Sequence, residues 1–243
     1  MEPNDLTLWR ESAEAWARSQ GVAGDESRRM LDPFVWEAVG PVAGRHVLDV
    51  GCGEGRFSRA LTAAGARVTG LDPTIRLAAR TGCSTVAGLG ECLPFRTASF
   101  DLVLFYLVLV DICRFEGAIR EAARVLKPGS KLVAVNLSPI STATKEPFWE
   151  RDSAGRKTAR RIEFYGIPQG QVYSWAGIRI RNYHRPLRDY IRAYLAAGLT
   201  LESYDEPMDT GVIADSVMSP NFDLMVWRAG RRHARVAIGG LTE

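Results

Sequence analysis

The sequence predicts an α/β protein, a doubly wound and mostly parallel sheet covered by helices on both faces, with a helical segment in front. Three observations point there. From residue 46 onward, short β-branched runs alternate with helical patterns, which makes right-handed βαβ units. The first of these runs ends in a turn with three glycines, Gly51, Gly53 and Gly55. With 243 residues, 46% of them hydrophobic and 24% charged, the chain can build one large domain with a substantial core.

The elements follow in order. Leu8, Trp9, Ala13, Trp16 and Ala17 recur at helical spacing, so the first helix is amphipathic. Asp25 is the expected N-cap of the next segment, and Pro33, after Asp32, the expected opening of a second helix. Strands are expected at 46–50, 66–72, 84–88, 100–107 and 131–137, with helices at 54–64, 74–80 and 114–126. Periodicity fails between 139 and 182, where Pro, Gly, charge and aromatic residues mix, and so long a stretch is expected to be an inserted lid. A helix over 186–199 restores the pattern and closes at Gly198. LTLESYDEP and NFDLMVWRAG then supply an antiparallel sheet edge.

Composition narrows the function classes. The net charge of +3, from 31 basic and 28 acidic residues, is too mild for a dedicated nucleic-acid binder. The clusters Arg156 to Arg161 and Arg228 to Arg235 read first as solvated faces. Cys52, Cys83, Cys92 and Cys113 show no CxxC spacing, and with three histidines no zinc template can be written. The acidic, amphipathic start is expected not to be a signal peptide. The apolar run Leu102 to Val110 is too short to span a bilayer. A cytoplasmic protein with reduced thiols is expected.

A glycine turn between a strand and a helix of such a sheet lies at the carboxyl end, where ligands bind. Gly51-x-Gly53-x-Gly55 is not the GxGxxG spacing of dinucleotide binders. Asp49 ends the strand and Glu54 lies inside the turn, and two carboxylates repel a pyrophosphate but suit a cationic ligand. Asp72 ends the second strand, where a carboxylate can accept from both ribose hydroxyls. Together these suit a nucleoside that bears an ammonium and no phosphate, a description that S-adenosylmethionine fits and a nicotinamide dinucleotide does not.

The stretches VLDVGCGEGRFSRAL, VTGLDPT, LPFRTASFDLVLFYLVLVDI and RVLKPGSKLV resemble, in order, the successive motifs of class I S-adenosylmethionine-dependent methyltransferases, the small-molecule branch in particular. The resemblance implies a seven-stranded Rossmann-like sheet and S-adenosylmethionine as cofactor. It places the loop Gly51, Cys52, Gly53 and Gly55 under the methionine moiety, with Asp49 and the Gly51 carbonyl near its ammonium. Asp72 would hold the ribose, Pro73 would lie along the adenine, and Gly90, Glu91 and Cys92 would border the adenine edge. The backbone of Tyr106 and Leu107 would face the amino-acid end. Leu89 stands where family members often carry an acid, and Ser130 where the second glycine of KPGG is usual. The expected organisation is one domain over 1–243: helical cap 1–40, cofactor-binding core 41–138, lid 139–185, then C-terminal helix and edge strands 186–243.

On the acceptor side His184, at the junction of lid and helix, is the candidate general base. His46 is expected to be structural and His233 exposed. Trp16, Gln20, Trp149, Tyr173, Trp175 and Tyr183 are candidates to grip a flat substrate, and Arg28 and Arg29 to reach the cofactor carboxylate. The expected reaction is methyl transfer to a small molecule, an oxygen of an aromatic, quinone-like or secondary-metabolite compound. An RNA methyltransferase, motivated by RKTARR, and a non-catalytic binder of the same nucleoside are the alternatives. Nucleic acid is not the expected partner, no membrane span is expected, and the chain is read as a monomer or homodimer.

Overall fold

The computed structural model describes residues 3–20, 26–145, 148–208 and 221–230. Asp25, His233 and the arginines beyond Gly230 lie outside the described residues. The chain runs α1 (Pro3–Gln20), α2 (Glu26–Val39), β1 (His46–Val50), α3 (Arg56–Ala63), β2 (Arg67–Leu71), α4 (Ile75–Ala78), β3 (Ser84–Val86) and β4 (Phe100–Tyr106). It continues through α5 (Phe115–Val125), β5 (Leu126–Leu137), α6 (Pro139–Thr142), β6 (Trp149–Arg151), β7 (Lys157–Arg160), β8 (Gln169–Trp175), β9 (Ile178–His184), α7 (Leu187–Ala196), β10 (Leu199–Asp205) and β11 (Phe222–Ala229).

Seven strands form one sheet in the order β10-β11-β5-β4-β1-β2-β3. β1 to β5 are parallel to their neighbours, and β11 and β10 close the edge antiparallel. Alternation along β4 shows why these residues make a central strand. Val103 and Phe105 pack with α5 and α7 on one face, while Leu102, Leu104 and Tyr106 pack with α2 and α3 on the other. Trp227 of β11, wholly buried, stacks on Tyr194 of α7 with ring centroids 4.4 Å apart.

Two expectations need correction. Pro33 does not open a helix, because α2 starts at Glu26 and carries the proline inside it. Leu31, Val35 and Val39 bury one face of α2, and that packing outweighs the hydrogen bond the proline removes. The stretch from 139 to 182 is more regular than its pattern suggests, holding α6 and the antiparallel hairpins β6–β7 and β8–β9. Most β8 side chains are half-buried or exposed, so no period-two apolar signal exists to read.

The β8–β9 hairpin is tied to α1. The Ser12 hydroxyl donates to the Arg179 carbonyl at 2.9 Å and accepts from the Arg179 N–H at 2.8 Å. Asp5 accepts from the Tyr183 hydroxyl at 2.6 Å and pairs with Arg181 at 3.2 Å. Ile178 and Ile180 pack on Trp9 and Ala13 of α1 and on Leu77 of α4. The N-terminal helix and the hairpin therefore form one layer.

Candidate active site

The strand order reverses between β1 and β4, and the crevice at their carboxyl ends is the place where such sheets bind ligands. The glycine turn lies there. Gly51 has φ +71°, and a Cβ on it would fall 2.2 Å from Val108 Cγ2. Gly55 has φ +88°, and its Cβ would meet the Thr81 backbone at 2.5 Å as the chain turns into α3. Only glycine fits both demands. Asp72 holds the turn from the next strand: its Oδ2 accepts the Gly53 N–H at 3.0 Å and its Oδ1 the Thr74 N–H at 2.7 Å.

Over this turn lies a cleft of about 760 Å³. Asp49, Gly51, Cys52, Gly53, Asp72, Pro73, Tyr106 and Leu107 all line it, as expected of cofactor residues. Leu107 reaches its place through a left-handed backbone, φ +57°, a strained conformation of the kind that collects at functional sites. Gly55, Gly90 and Glu91, also expected there, do not line it. Gly90 is packed against Val50, Ile112 and Ala118, and Glu91 lies on Gly117 of α5, because the segment turns toward that helix.

Three buried aspartates give the cleft its character. The Asp49 Oδ2 accepts from the Ser58 hydroxyl at 2.6 Å, and burial, with Asp72 adding to it, pushes its carboxyl up to about 6. Burial also raises Asp72, against the pull of its two amide bonds. Asp111, buried at the cleft wall, lies well above the ordinary carboxylate range, again through burial, although the Asn182 amide donates to it at 2.5 Å. Because Asp49 titrates higher folded than unfolded, its contribution to stability falls as pH rises between its ordinary value of 3.8 and about 6. A cationic ligand needs the ionised form, so its affinity moves the other way. S-adenosylhomocysteine, which carries an ammonium, is expected to bind about tenfold tighter at pH ~7.5 than at pH ~5. Calorimetry checks this, and a profile that Asp49→Asn leaves unchanged would refute the assignment to Asp49.

The walls come from α1 and α2. Trp16 stands over the turn, its Nε1 3.6 Å from where a Gly53 Cβ would be. The Arg28 guanidinium lies 5.0 Å above the Trp16 ring. Arg56 binds Asp32 through both guanidinium nitrogens at 2.5 and 2.9 Å, and the Tyr106 hydroxyl donates to the same carboxylate at 2.8 Å, which fastens α2 to the sheet. Trp16 and Gln20, expected on the acceptor, thus line the cofactor cleft instead. Arg28 lines it too, whereas Arg29 is exposed and outside its lining.

A second cleft of about 1060 Å³ opens under the hairpins, walled by Phe148, Tyr173 and Trp175 with Arg160, Thr142 and Asn182. Tyr173 and Trp175, the candidates to grip a flat acceptor, are both in its wall. Tyr183 is not: successive strand residues face opposite ways, and its hydroxyl is spent on Asp5. Trp149 serves the hairpin, with Lys157 and Arg160 over its ring at 4.7 and 5.0 Å.

His184 also departs from expectation. Its ring is buried, lines neither cleft and has both nitrogens engaged. Nε2 donates to the Tyr165 carbonyl at 2.9 Å, which leaves Nδ1 to accept from the Thr142 hydroxyl at 2.8 Å. Burial holds its pKa below the usual imidazole value, with Arg185 adding to the effect. The residue pins α6 and the chain near Tyr165 to the end of β9. His184→Ala is expected to cost about 1–3 kcal/mol of stability, measured by urea unfolding, and to leave the pH dependence of turnover unchanged. A lost alkaline or acid limb would restore it as a base.

Asp111, Asn182 and Arg185 escaped the sequence reading. Arg185 is buried and donates to the carbonyls of Leu109 at 3.1 Å, Cys113 at 2.9 Å and Ile112, with its guanidinium 4.4 Å above the Phe115 ring. It thereby fixes the 3₁₀ turn Leu109–Asp111. An acid closing the apolar run Leu102 to Val110 was the available signal for Asp111.

Residues 48–134 match the family described as a methyltransferase domain. An S-adenosylmethionine-dependent methyltransferase of Mesorhizobium loti superposes with a TM-score of 0.72 at 26% identity, covering 86% of this chain and 100% of that one. Over residues 48–134 the chain thus carries a methyltransferase domain, and its fold is that of S-adenosylmethionine-dependent methyltransferases. Similar curated proteins include a demethylmenaquinone methyltransferase of Tropheryma whipplei, 39% identical over 41% of this chain and 45% of the relative. Another is a ubiquinone biosynthesis O-methyltransferase of Methylocella silvestris, 28% identical over 72% of this chain and 64% of the relative. The chain thus spans about half to two thirds of the length of these relatives. The matched methyltransferase domain holds β1 to β4 with the glycine turn, Asp49, Asp72 and Asp111, and ends within β5. No helix among the described residues is long and apolar enough to cross a membrane.

Proposed function

We propose that this chain transfers a methyl group from S-adenosylmethionine to a hydroxyl oxygen of a small, flat, quinone-like or other aromatic compound. One observation carries the reading: an acidic cleft over the glycine turn and an aromatic-walled cleft lie on either side of the hydrogen-bonded pair Asp111 and Asn182. The residues present fit the cofactor. Gly51 and Gly53 line the cleft with backbone alone, a Cβ on Gly53 would enter the space beneath Trp16, and the acids suit a cation in place of a phosphate. When bound, the cofactor supplies a methyl carbon on a sulfonium that already carries its leaving group.

Asp72 would hold the ribose and Asp49 the ammonium, with Trp16 and Gln20 shutting out water from α1. Phe148, Tyr173 and Trp175 would align the acceptor, and alignment is most of what such a displacement asks of a protein. The names of the two quinone-pathway relatives support that substrate class. Against RNA as acceptor stands the engagement of the RKTARR charges: Arg156 pairs with Asp152, Arg161 with Glu163, and Lys157 and Arg160 cover Trp149. The segment 139–185 would act as the lid, and a cytoplasmic location accords with free cysteines. The chain would act as a monomer or a homodimer. The test is to incubate the protein with isotope-labelled S-adenosylmethionine and a cell extract that holds both small molecules and RNA, and to seek a labelled product by mass spectrometry. An O-methylated aromatic product is expected; label confined to the RNA fraction, or no transfer, overturns the reading.

A further inference from the structure

We propose that Asp111 is the catalytic residue that takes the proton from the acceptor hydroxyl, held for that task by Asn182 at the seam of the two clefts; the proposal rests on the methyl-transfer reading above. The geometry is specific. Asp111 lines the cofactor cleft, Asn182 lines the aromatic cleft, and a 2.5 Å hydrogen bond joins them. The consecutive residues Ser27 and Arg28 repeat the arrangement, the first on the aromatic cleft and the second on the cofactor cleft. The two clefts therefore lie on either side of the Asp111–Asn182 pair.

The other candidates are committed elsewhere. Asp49 is bound to Ser58, Asp72 carries two backbone amides of the glycine turn, and both nitrogens of His184 are engaged. Asn182 takes one acceptor position on Asp111 Oδ1, and a carboxylate has about four. Arg185 binds carbonyls on both sides of Asp111 and keeps the turn rigid. The charged groups in its field are Arg28 from α2, Asp72 after β2 and Arg185 after β9. Burial, with Asp72 adding to it, raises Asp111 well above the ordinary carboxylate range and so strengthens its carboxylate as a proton acceptor, against the opposing pull of Asn182 and the two arginines.

In the step, the acceptor O–H bond breaks and its proton passes to the Asp111 carboxylate. The oxygen pair forms a bond to the methyl carbon of the methylsulfonium donor. The carbon–sulfur bond breaks, and its electron pair stays on sulfur as a neutral thioether. Asp111 afterwards returns the proton to water.

The test uses the whole chain and two nucleosides. Sinefungin carries an ammonium where the methylsulfonium is, and S-adenosylhomocysteine carries a neutral sulfur there. The amino-acid ammonium is common to both, so the ratio of their affinities reports on charge beside the transferred methyl. Asp111→Asn is expected to keep S-adenosylhomocysteine affinity within about threefold, to cut the wild-type preference for sinefungin about tenfold, and to lower product formation from the cell extract about 100-fold or more. Asp111→Glu should recover part of the product formation. Asn182→Ala should cost about tenfold alone and nothing further on top of Asp111→Asn, since a positioning residue acts only through its partner. A sinefungin preference or a rate that survives Asp111→Asn overturns the proposal. If the wild-type chain binds neither nucleoside, it is the methyl-transfer reading that fails, and the proposal falls with it.

Discussion

Asp72→Ala is expected to weaken S-adenosylhomocysteine binding by about 100-fold or more, the largest loss from any one change in the cofactor cleft. The carboxylate has two tasks. It fixes the glycine turn through the Gly53 and Thr74 amides, and its remaining lone pairs are those that would meet the ribose hydroxyls. Hydrogen bonds to a charged group are worth about 1.5–3 kcal/mol each, so losing two costs about 3 kcal/mol, or roughly 100-fold in affinity. The fold should suffer less, because removing a buried carboxylate also removes its desolvation cost. Calorimetry of the variant decides, with thermal unfolding to confirm that it is folded. Undiminished affinity would end the assignment of this cleft to the nucleoside.

The second large effect is on stability. Arg185→Leu strips the carbonyls of Ile112 and Cys113 of their side-chain donor in a buried place and leaves Leu109 only the 3.3 Å bond from the Ile112 N–H. Each unsatisfied carbonyl costs about 1–3 kcal/mol, so a loss of about 3–5 kcal/mol is expected, read from urea midpoints. Arg185→Lys should recover only part of it. An ammonium cannot fork to three carbonyls, nor does it stack on Phe115 as a guanidinium does. The damage extends to the site, because the turn that Arg185 holds carries Asp111. Variants that unfold like wild type would show that the turn stands without the arginine.

Particular residues mark how far the sequence could be read. Asp49, the glycines and Asp72 were legible because the features that identify them lie within one βαβ unit: a buried strand, a turn needing positive φ, and an acid at the end of the next strand. The parallel strands and both faces of the core were legible for a similar reason, since β4 alternates between its two helical layers. Pro33 misled, because the burial of Leu31, Val35 and Val39 overrides a local preference. The hairpins were illegible because strands that roof a cleft bury too little to show a period. Gly90 and Glu91 came from the resemblance, and the packing of their segment on α5 sets them outside the cleft wall.

His184 shows the limit most clearly. From its neighbours in the chain it could have been a base, and only the Thr142 hydroxyl and the Tyr165 carbonyl, 42 and 19 residues away, made it a structural pin. What the sequence determined by itself was the fold and the glycine turn with its acids, where each requirement is imposed by residues adjacent in the chain or by one repeating unit. The tertiary structure decided the proposed acceptor side: the joining of α1 to β9, the place of Trp16 over the glycine turn, and the meeting of Asp111 with Asn182 across 71 residues. Such contacts depend on how separate segments pack, and packing leaves no periodicity in the sequence to announce it.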